Sequence, residues 1–205
     1  LPTRLLELKT MGWIQSSRRG DTGVGKTIED YLGILENNLG EPDCLYHGLP
    51  IEIKGRRLDT SSMITLFTLE PETRHLKDAD LIRKYGYRNS RGRPALKVTL
   101  TPVSFTPQGL KLEIDKEVGS IAIVDRGGYK PWVWTTNDIN IKLRNLCVIM
   151  ARTKKENAQE YFMIESADLA TDLDTTCFFD LVAEGLVKID LRMHLKPSGV
   201  ARNHG

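Results

Sequence analysis

At 205 residues, 40% hydrophobic and 27% charged, the chain can bury a substantial core as one domain, or as one domain with two lobes. No apolar run approaches the roughly 20 residues of a membrane helix, and no signal peptide opens the chain. Three widely spaced cysteines (Cys44, Cys147, Cys177) with no C-x-x-C argue against a disulfide framework or a structural zinc site, and for reduced thiols in a cytoplasmic protein.

In chain order, residues 2–11 read as a short helix with Pro2 in its first turn and Gly12 as its stop. Residues 16–24 form a polar, glycine-containing loop. Thr27 is then placed to cap a helix with Ile28, Tyr31, Leu32 and Leu35 as its apolar stripe, ending near Gly40. Strand-like pieces follow at 44–47, 51–55 and 63–69, with the turn Gly48-Leu49-Pro50 between the first two. Residues 78–85 pattern as a helix and 87–94 as a basic loop. Strands are expected at 95–100, 110–114 and 120–124, then a turn at Gly127-Gly128. Trp132 and Trp134, two apart on a strand, read as packing residues. Asn137 is placed to cap a helix reaching 145, and 146–151 reads as a buried strand. Residues 159–164 and 186–195 are further strands, separated by a helix over 174–184 that Gly185 stops. Pro197-Ser198-Gly199 is a turn, and the strand expected after it stops at Gly205. With Leu1 in place of Met, this suggests a single domain over 1–205 cut short at its carboxyl end. The class is mixed α/β.

A net charge of +2 identifies no partner, but its distribution is uneven. From Leu81 to Leu112 no acidic residue occurs beside Arg83, Lys84, Arg88, Arg91, Arg93, Lys97 and Lys111. Over the last twenty residues Lys188, Arg192, Lys196 and Arg202 face only Asp190, with His194 and His204 alongside. Clustered bases of this kind suit phosphate neutralisation or, alternatively, a solvated face.

The chemistry-bearing pattern is Pro42-Asp43 followed by Glu52-Ile53-Lys54. On a strand Glu52 and Lys54 point to the same side, and Asp43 on the neighbouring strand can project to the same spot. Two carboxylates supply hard oxygen ligands for Mg²⁺, and a lysine beside them polarises a water or a crowded phosphate. An isolated E-x-K is weak, since Glu7-Leu8-Lys9 also satisfies it; Pro-Asp at this spacing on a hairpin strengthens it, the alternative being a surface hairpin with an incidental ion pair. A competing motif is Gly20 to Thr27, GDTGVGKT, which satisfies the P-loop pattern of nucleotide hydrolases; Ser120 to Asp125 imitates their apolar strand ending in a metal-binding Asp. A P-loop leaves a buried parallel strand, however, and Gln15-Ser16-Ser17-Arg18-Arg19 is no such strand.

The stretch Gly20-Asp21-Thr22-Gly23-Val24-Gly25-Lys26-Thr27-Ile28-Glu29-Asp30-Tyr31-Leu32-Gly33 resembles the G-x-T-G-x-G-x-x-[IL]-E-x-x-L-G signature shared by MutH and its restriction-enzyme relatives. Followed by Asp43 and Glu52-Ile53-Lys54, it most resembles the MvaI/BcnI group of type II restriction endonucleases. Further matches run through Ser61 to Thr68, Lys84 to Tyr87, Pro107 to Glu113, Ile189 to His194 and Arg202 to Gly205. The resemblance implies a restriction-endonuclease-like PD-(D/E)xK core with a central mixed sheet, and catalytic and recognition lobes around a DNA cleft. It implies a Mg²⁺-dependent, sequence-specific endonuclease acting as a monomer on double-stranded DNA, with a MutH-like strand-nicking role as the nearest alternative. Asp43 and Glu52 would hold the metal, Lys54 would orient and activate water, and Glu29 would be the supporting acidic residue. Arg88, Arg91 and Arg93 in the basic loop, with Arg192, His194, Arg202 and His204 around the Pro197–Gly199 turn, would touch DNA as base readers or phosphate contacts. His75 is a further candidate contact, solvent exposure being its alternative, and His47 reads as structural.

Overall fold

The computed structural model describes residues 1–20, 22–34 and 41–203. In chain order these form α1 (Pro2–Thr10), β1 (Ile14–Gln15), α2 (Gly23–Leu32), β2 (Cys44–Tyr46), β3 (Leu49–Arg57), β4 (Thr73–Arg74), α3 (Asp78–Tyr85), β5 (Tyr87–Arg88) and β6 (Pro94–Leu100). There follow β7 (Leu110–Asp115), β8 (Ser120–Asp125), β9 (Trp132–Thr135), α4 (Thr136–Lys142), β10 (Asn145–Glu156), β11 (Gln159–Ala170), α5 (Thr175–Ala183), β12 (Ile189–Leu195) and β13 (Ala201–Asn203). The chain divides into two compact units, one of residues 1–66 with 144–173 and the other of 67–143 with 174–205.

The first unit is built on a five-stranded mixed sheet in the order β1-β11-β10-β3-β2. β3 runs parallel to β10, and the other pairings are antiparallel. Alternation along β3 decides its orientation: Ile51 and Ile53 are buried, while Glu52 and Lys54 between them are only half-buried. Ile51, Ile53, Cys147, Ile149, Ala151, Phe162 and Ile164 form a core with Leu8 of α1 and Val24, Ile28 and Leu32 of α2. One face of the sheet therefore carries both helices.

α2 begins five residues earlier than its sequence suggested and stops at Leu32. Its inward stripe is Val24, Ile28 and Leu32, and Tyr31 points outward. Thr27 is not a cap. Its buried hydroxyl bonds back to the Gly23 carbonyl and accepts the Ser17 N–H, tying the preceding loop to the helix. Gly33, left-handed at φ 76°, ends the helix, with the Ile34 N–H reaching the Glu29 carbonyl. Leu35 and Gly40, expected in this helix, lie outside the described residues.

The second unit holds two antiparallel four-stranded sheets, β13-β12-β6-β5 and β4-β9-β8-β7. Alternation again separates Leu96, Val98, Leu100, Leu191, Met193 and Leu195, all buried, from Lys97, Thr99 and Arg192, all exposed. Trp132 and Trp134 are buried, as expected of packing residues, and their indole N–H groups donate to the carbonyls of Leu76 and Leu69. The strand expected at 63–69 does not form; the Leu69 carbonyl is taken by an indole, and Phe67 packs on Phe178 instead. α4 is capped by Thr135 and Asp138 in a capping box, two residues before the expected Asn137. Cys44, Cys147 and Cys177 are all free thiols.

Candidate active site

β2 and β3 are joined by the two-residue turn His47-Gly48, both left-handed at φ 51° and 79°, the geometry a tight hairpin prefers. His47 is thus structural, and the turn lies one residue earlier than Gly48–Pro50. It sets Cys44 opposite Ile51, so the ladder ends just before Asp43. The Asp43 carboxylate takes over from the ladder, accepting the Ile53 N–H at 2.7 Å. That amide sits between Glu52 and Lys54, which share the half-buried face of β3, with Lys54 Nζ donating to Glu52 Oε1 at 2.6 Å. Burial pushes the Asp43 carboxyl above its usual range; the Ile53 N–H lowers it, the Glu52 charge raises it and Lys54 lowers it.

Two neighbouring carboxylates, one of them held by a backbone N–H, form a donor set that a divalent cation would stabilise. Among the described residues no three His, Cys, Asp or Glu side chains converge as a metal cage. Mg²⁺ needs no such cage, since one or two carboxylates and several waters commonly complete its shell. Asp43 and Glu52 fit that requirement.

α2 comes close behind this strand. A Cβ on Gly55 would stand 3.1 Å from Gly25 Cα and 3.3 Å from Ile28 Cδ1, so the absent side chain lets the helix settle on β3 one residue beyond Lys54. Glu29 is carried by this helix, and Lys26 lies 4.0 Å from it and 2.9 Å from Asp30. The glycine loop is also pinned: Arg57 forms a two-point ion pair with Glu160 and donates to the Gly20 carbonyl at 2.9 Å. A Cβ on Gly23 would lie 2.2 Å from the Arg18 carbonyl oxygen. The strand before this loop, β1, has two residues and pairs antiparallel at the sheet edge, so the loop does not follow the parallel strand that a P-loop leaves. Asp125, the other half of that motif, closes a turn: its carboxylate accepts the N–H groups of Gly127 and Tyr129, the Tyr85 hydroxyl at 2.8 Å and Lys84.

In the second unit, register places Arg192 opposite Lys97, Asp190 opposite Thr99, and His194 opposite both Ala95 and Arg202. Arg192, His194 and Arg202 therefore share one sheet face with Lys97. Asp190 is the residue that sequence reasoning passed over: it ion-pairs with Arg192 and accepts the Thr99 hydroxyl at 2.9 Å. The D-x-R spacing, read as E-x-K was read, could have found it. Arg88 lies at the end of β5 with its guanidinium on the Gly92 carbonyl. Arg91 and Arg93 follow in the connecting loop, their amides held by Asn89 Oδ1. His75 is exposed after β4, its backbone bound to Pro131 and Tyr129. His204 lies outside the described residues.

A mixed sheet backed by helices, with Glu52 and Lys54 on β3 between the central strand β10 and the edge strand β2, is a restriction-endonuclease-like α/β fold. The MvaI/BcnI restriction endonuclease family model matches residues 3–205. The chain belongs to that family. Among solved structures it is similar to restriction endonuclease MvaI in a complex with its cognate DNA substrate, at 28% identity over 99% of this chain and 88% of that one, with a TM-score of 0.82. MvaI in the absence of DNA matches at 28% identity over 100% of this chain and 88% of that one, with a TM-score of 0.58. No curated protein sequence matches.

Proposed function

We propose that the chain is a type II restriction enzyme of the PD-(D/E)xK kind, related to the MutH branch, which hydrolyses phosphodiesters of double-stranded DNA with Mg²⁺. The observation that carries this reading is the Asp43 carboxylate, anchored by the Ile53 N–H beside the Glu52–Lys54 pair. Asp43 and Glu52 would hold the metal, which would supply Lewis-acid polarisation of the scissile phosphate. Lys54 keeps its ammonium beside Glu52, where it orients the attacking water and offsets charge building on phosphorus. Glu29 supports this group from α2. Arg192, His194 and Arg202, with His204, read bases or hold phosphates, and Arg88, Arg91, Arg93 and His75 add further contacts.

One such set of residues reaches one scissile phosphate at a time. As a monomer on DNA the enzyme therefore cuts the strands in succession. Incubation with a sequenced plasmid and Mg²⁺ should give ends at one short sequence, an open-circular intermediate before linear product, and no cleavage in EDTA. Asp43→Ala and Glu52→Ala should each abolish cleavage and retain binding to the mapped site; near-normal cutting by both would remove the assignment. The glycine loop should bind no ATP. Micromolar ATP binding lost in Lys26→Ala would favour a nucleotide hydrolase.

A further inference from the structure

We infer that Arg56 is a third functional residue of the β3 face, a guanidinium that holds the DNA phosphate next to the scissile one. This rests on the nuclease reading above. The pairing of β3 with β10 runs unbroken from Ile51 opposite Asn145 to Arg57 opposite Ala151. With no bulge, side chains at 52, 54 and 56 all leave the same side of the strand. Arg56 thus extends the row of Glu52 and Lys54, away from the core that holds Ile51 and Ile53.

Its neighbour Arg57 shows what a structural arginine looks like here, with Glu160 and the Gly20 carbonyl as partners. Arg56 has neither. Its Nε is buried without any hydrogen-bond partner; among the described residues, Gln108 Oε1 is the other buried side-chain atom in that state. The residue opposite it on β10 is Met150, which offers no carboxylate. A guanidinium cannot shed its charge, and a buried donor left unpaired is costly, so the unpaired group calls for an acceptor from outside the chain. The planar fork of arginine matches a phosphate better than any other side chain does. Two residues along a strand span ~6.6 Å, of the order of the step between successive phosphates on one DNA strand. With Lys54 at the scissile phosphate, Arg56 reaches its neighbour.

The test starts from the cleavage site mapped on plasmid, copied into short duplexes that each carry one uncharged methylphosphonate, walked across the cut. Binding is measured with Ca²⁺ in place of Mg²⁺ so that the DNA stays whole. In wild type, neutralising the phosphate beside the cut should weaken binding ~10-fold or more, as expected for a lost charged hydrogen bond. Arg56→Gln should weaken binding of the unmodified duplex comparably, lower the log–log salt slope by about 0.9, and be indifferent to that methylphosphonate. Arg56→Lys should keep the salt slope and lose part of the affinity. A variant with an unchanged slope and the full methylphosphonate penalty overturns the inference, and would mean that a water satisfies Nε. A wild-type protein that cuts no DNA overturns the nuclease reading, and the inference with it.

Discussion

β3 and β12 carry the same local device. Each places a carboxylate and a cation two residues apart on one strand face, Glu52 with Lys54 and Asp190 with Arg192, and each pair is closed by a direct ion pair. Their surroundings differ. Beside Glu52 stands a second carboxylate, Asp43, raised above its usual range by burial and by the neighbouring charge. Beside Asp190 stand the Thr99 hydroxyl and, opposite Arg192, Lys97. A doubled negative charge invites a divalent cation, whereas a single carboxylate among cations holds an arginine in place for an anionic or base-edge partner. On the proposed reading, the same two-residue spacing would serve catalysis on β3 and recognition on β12, with the third residue setting the difference.

Breaking the catalytic half should have the largest effect. Asp43→Asn is expected to lower single-site cleavage by more than ~10³-fold, the scale associated with losing a main electrostatic contributor. It should also raise the melting temperature of the metal-free protein, because a half-buried charge disfavoured by its surroundings is removed while Asn can still accept the Ile53 N–H. Thermal unfolding together with the plasmid assay checks both.

Asp190→Asn should act on the other half. Cleavage of bound DNA persists, while discrimination against a site with one changed base pair falls by roughly 1–3 kcal/mol as Arg192 loses its anchor. Rates on matched and singly altered duplexes measure this; an unchanged ratio would mean that Arg192 contacts only the backbone.

Gly55→Val tests how the helix is seated behind the catalytic strand. The added side chain must displace Gly25 and Ile28, so destabilisation of about 1–3 kcal/mol is expected in urea unfolding, with reduced cleavage if Glu29 moves away with α2.

The smallest effect concerns a carboxylate shifted in the opposite sense to Asp43. Asp125 lies below its usual range because of the Tyr85 hydroxyl first, then the N–H groups of Tyr129 and Gly127 and the Lys84 ammonium, against some desolvation. Its folded form therefore contributes stability that is present above the unfolded carboxylate range, ~3.9, and lost as pH falls through the lower folded value. Asp125→Asn should flatten that acid limb of a melting-temperature profile and leave neutral-pH cleavage unchanged.

The β2–β3 hairpin that carries the proposed site was legible because its signals are local: Pro-Asp, E-x-K and the intervening turn all lie within a dozen residues. α3 was read to the residue, from Asp78 to Tyr85, by its apolar spacing and the glycine after it. What the sequence hid depends on distant partners. Gly23 and Gly25 look like loop residues, yet both lie in the first turn of α2; the Arg18 carbonyl leaves no room for a side chain at Gly23, and Gly25 passes against Gly55 of β3. Residues 63–69 have strand-like composition but find no ladder, and an indole takes a carbonyl that a strand would have used. Ser120 to Asp125 imitates a metal-binding strand, but the carboxylate closes a turn onto the Gly127 and Tyr129 N–H groups and is engaged by Tyr85, forty residues upstream. Arg56 and Arg57 cannot be told apart as letters; Arg57 has Glu160, while the buried Nε of Arg56 has no hydrogen-bond partner among the described residues.

The central claim is that β3 performs the chemistry, and the most direct test is the single-turnover cleavage rate of Glu52→Gln on a duplex that it still binds. Removing the charge while keeping the shape should lower that rate by more than ~10³-fold with Mg²⁺ saturating, and leave affinity in Ca²⁺ within about twofold of wild type. A Glu52→Gln protein that cuts at a rate near wild type would contradict the account, and would move the active centre off β3.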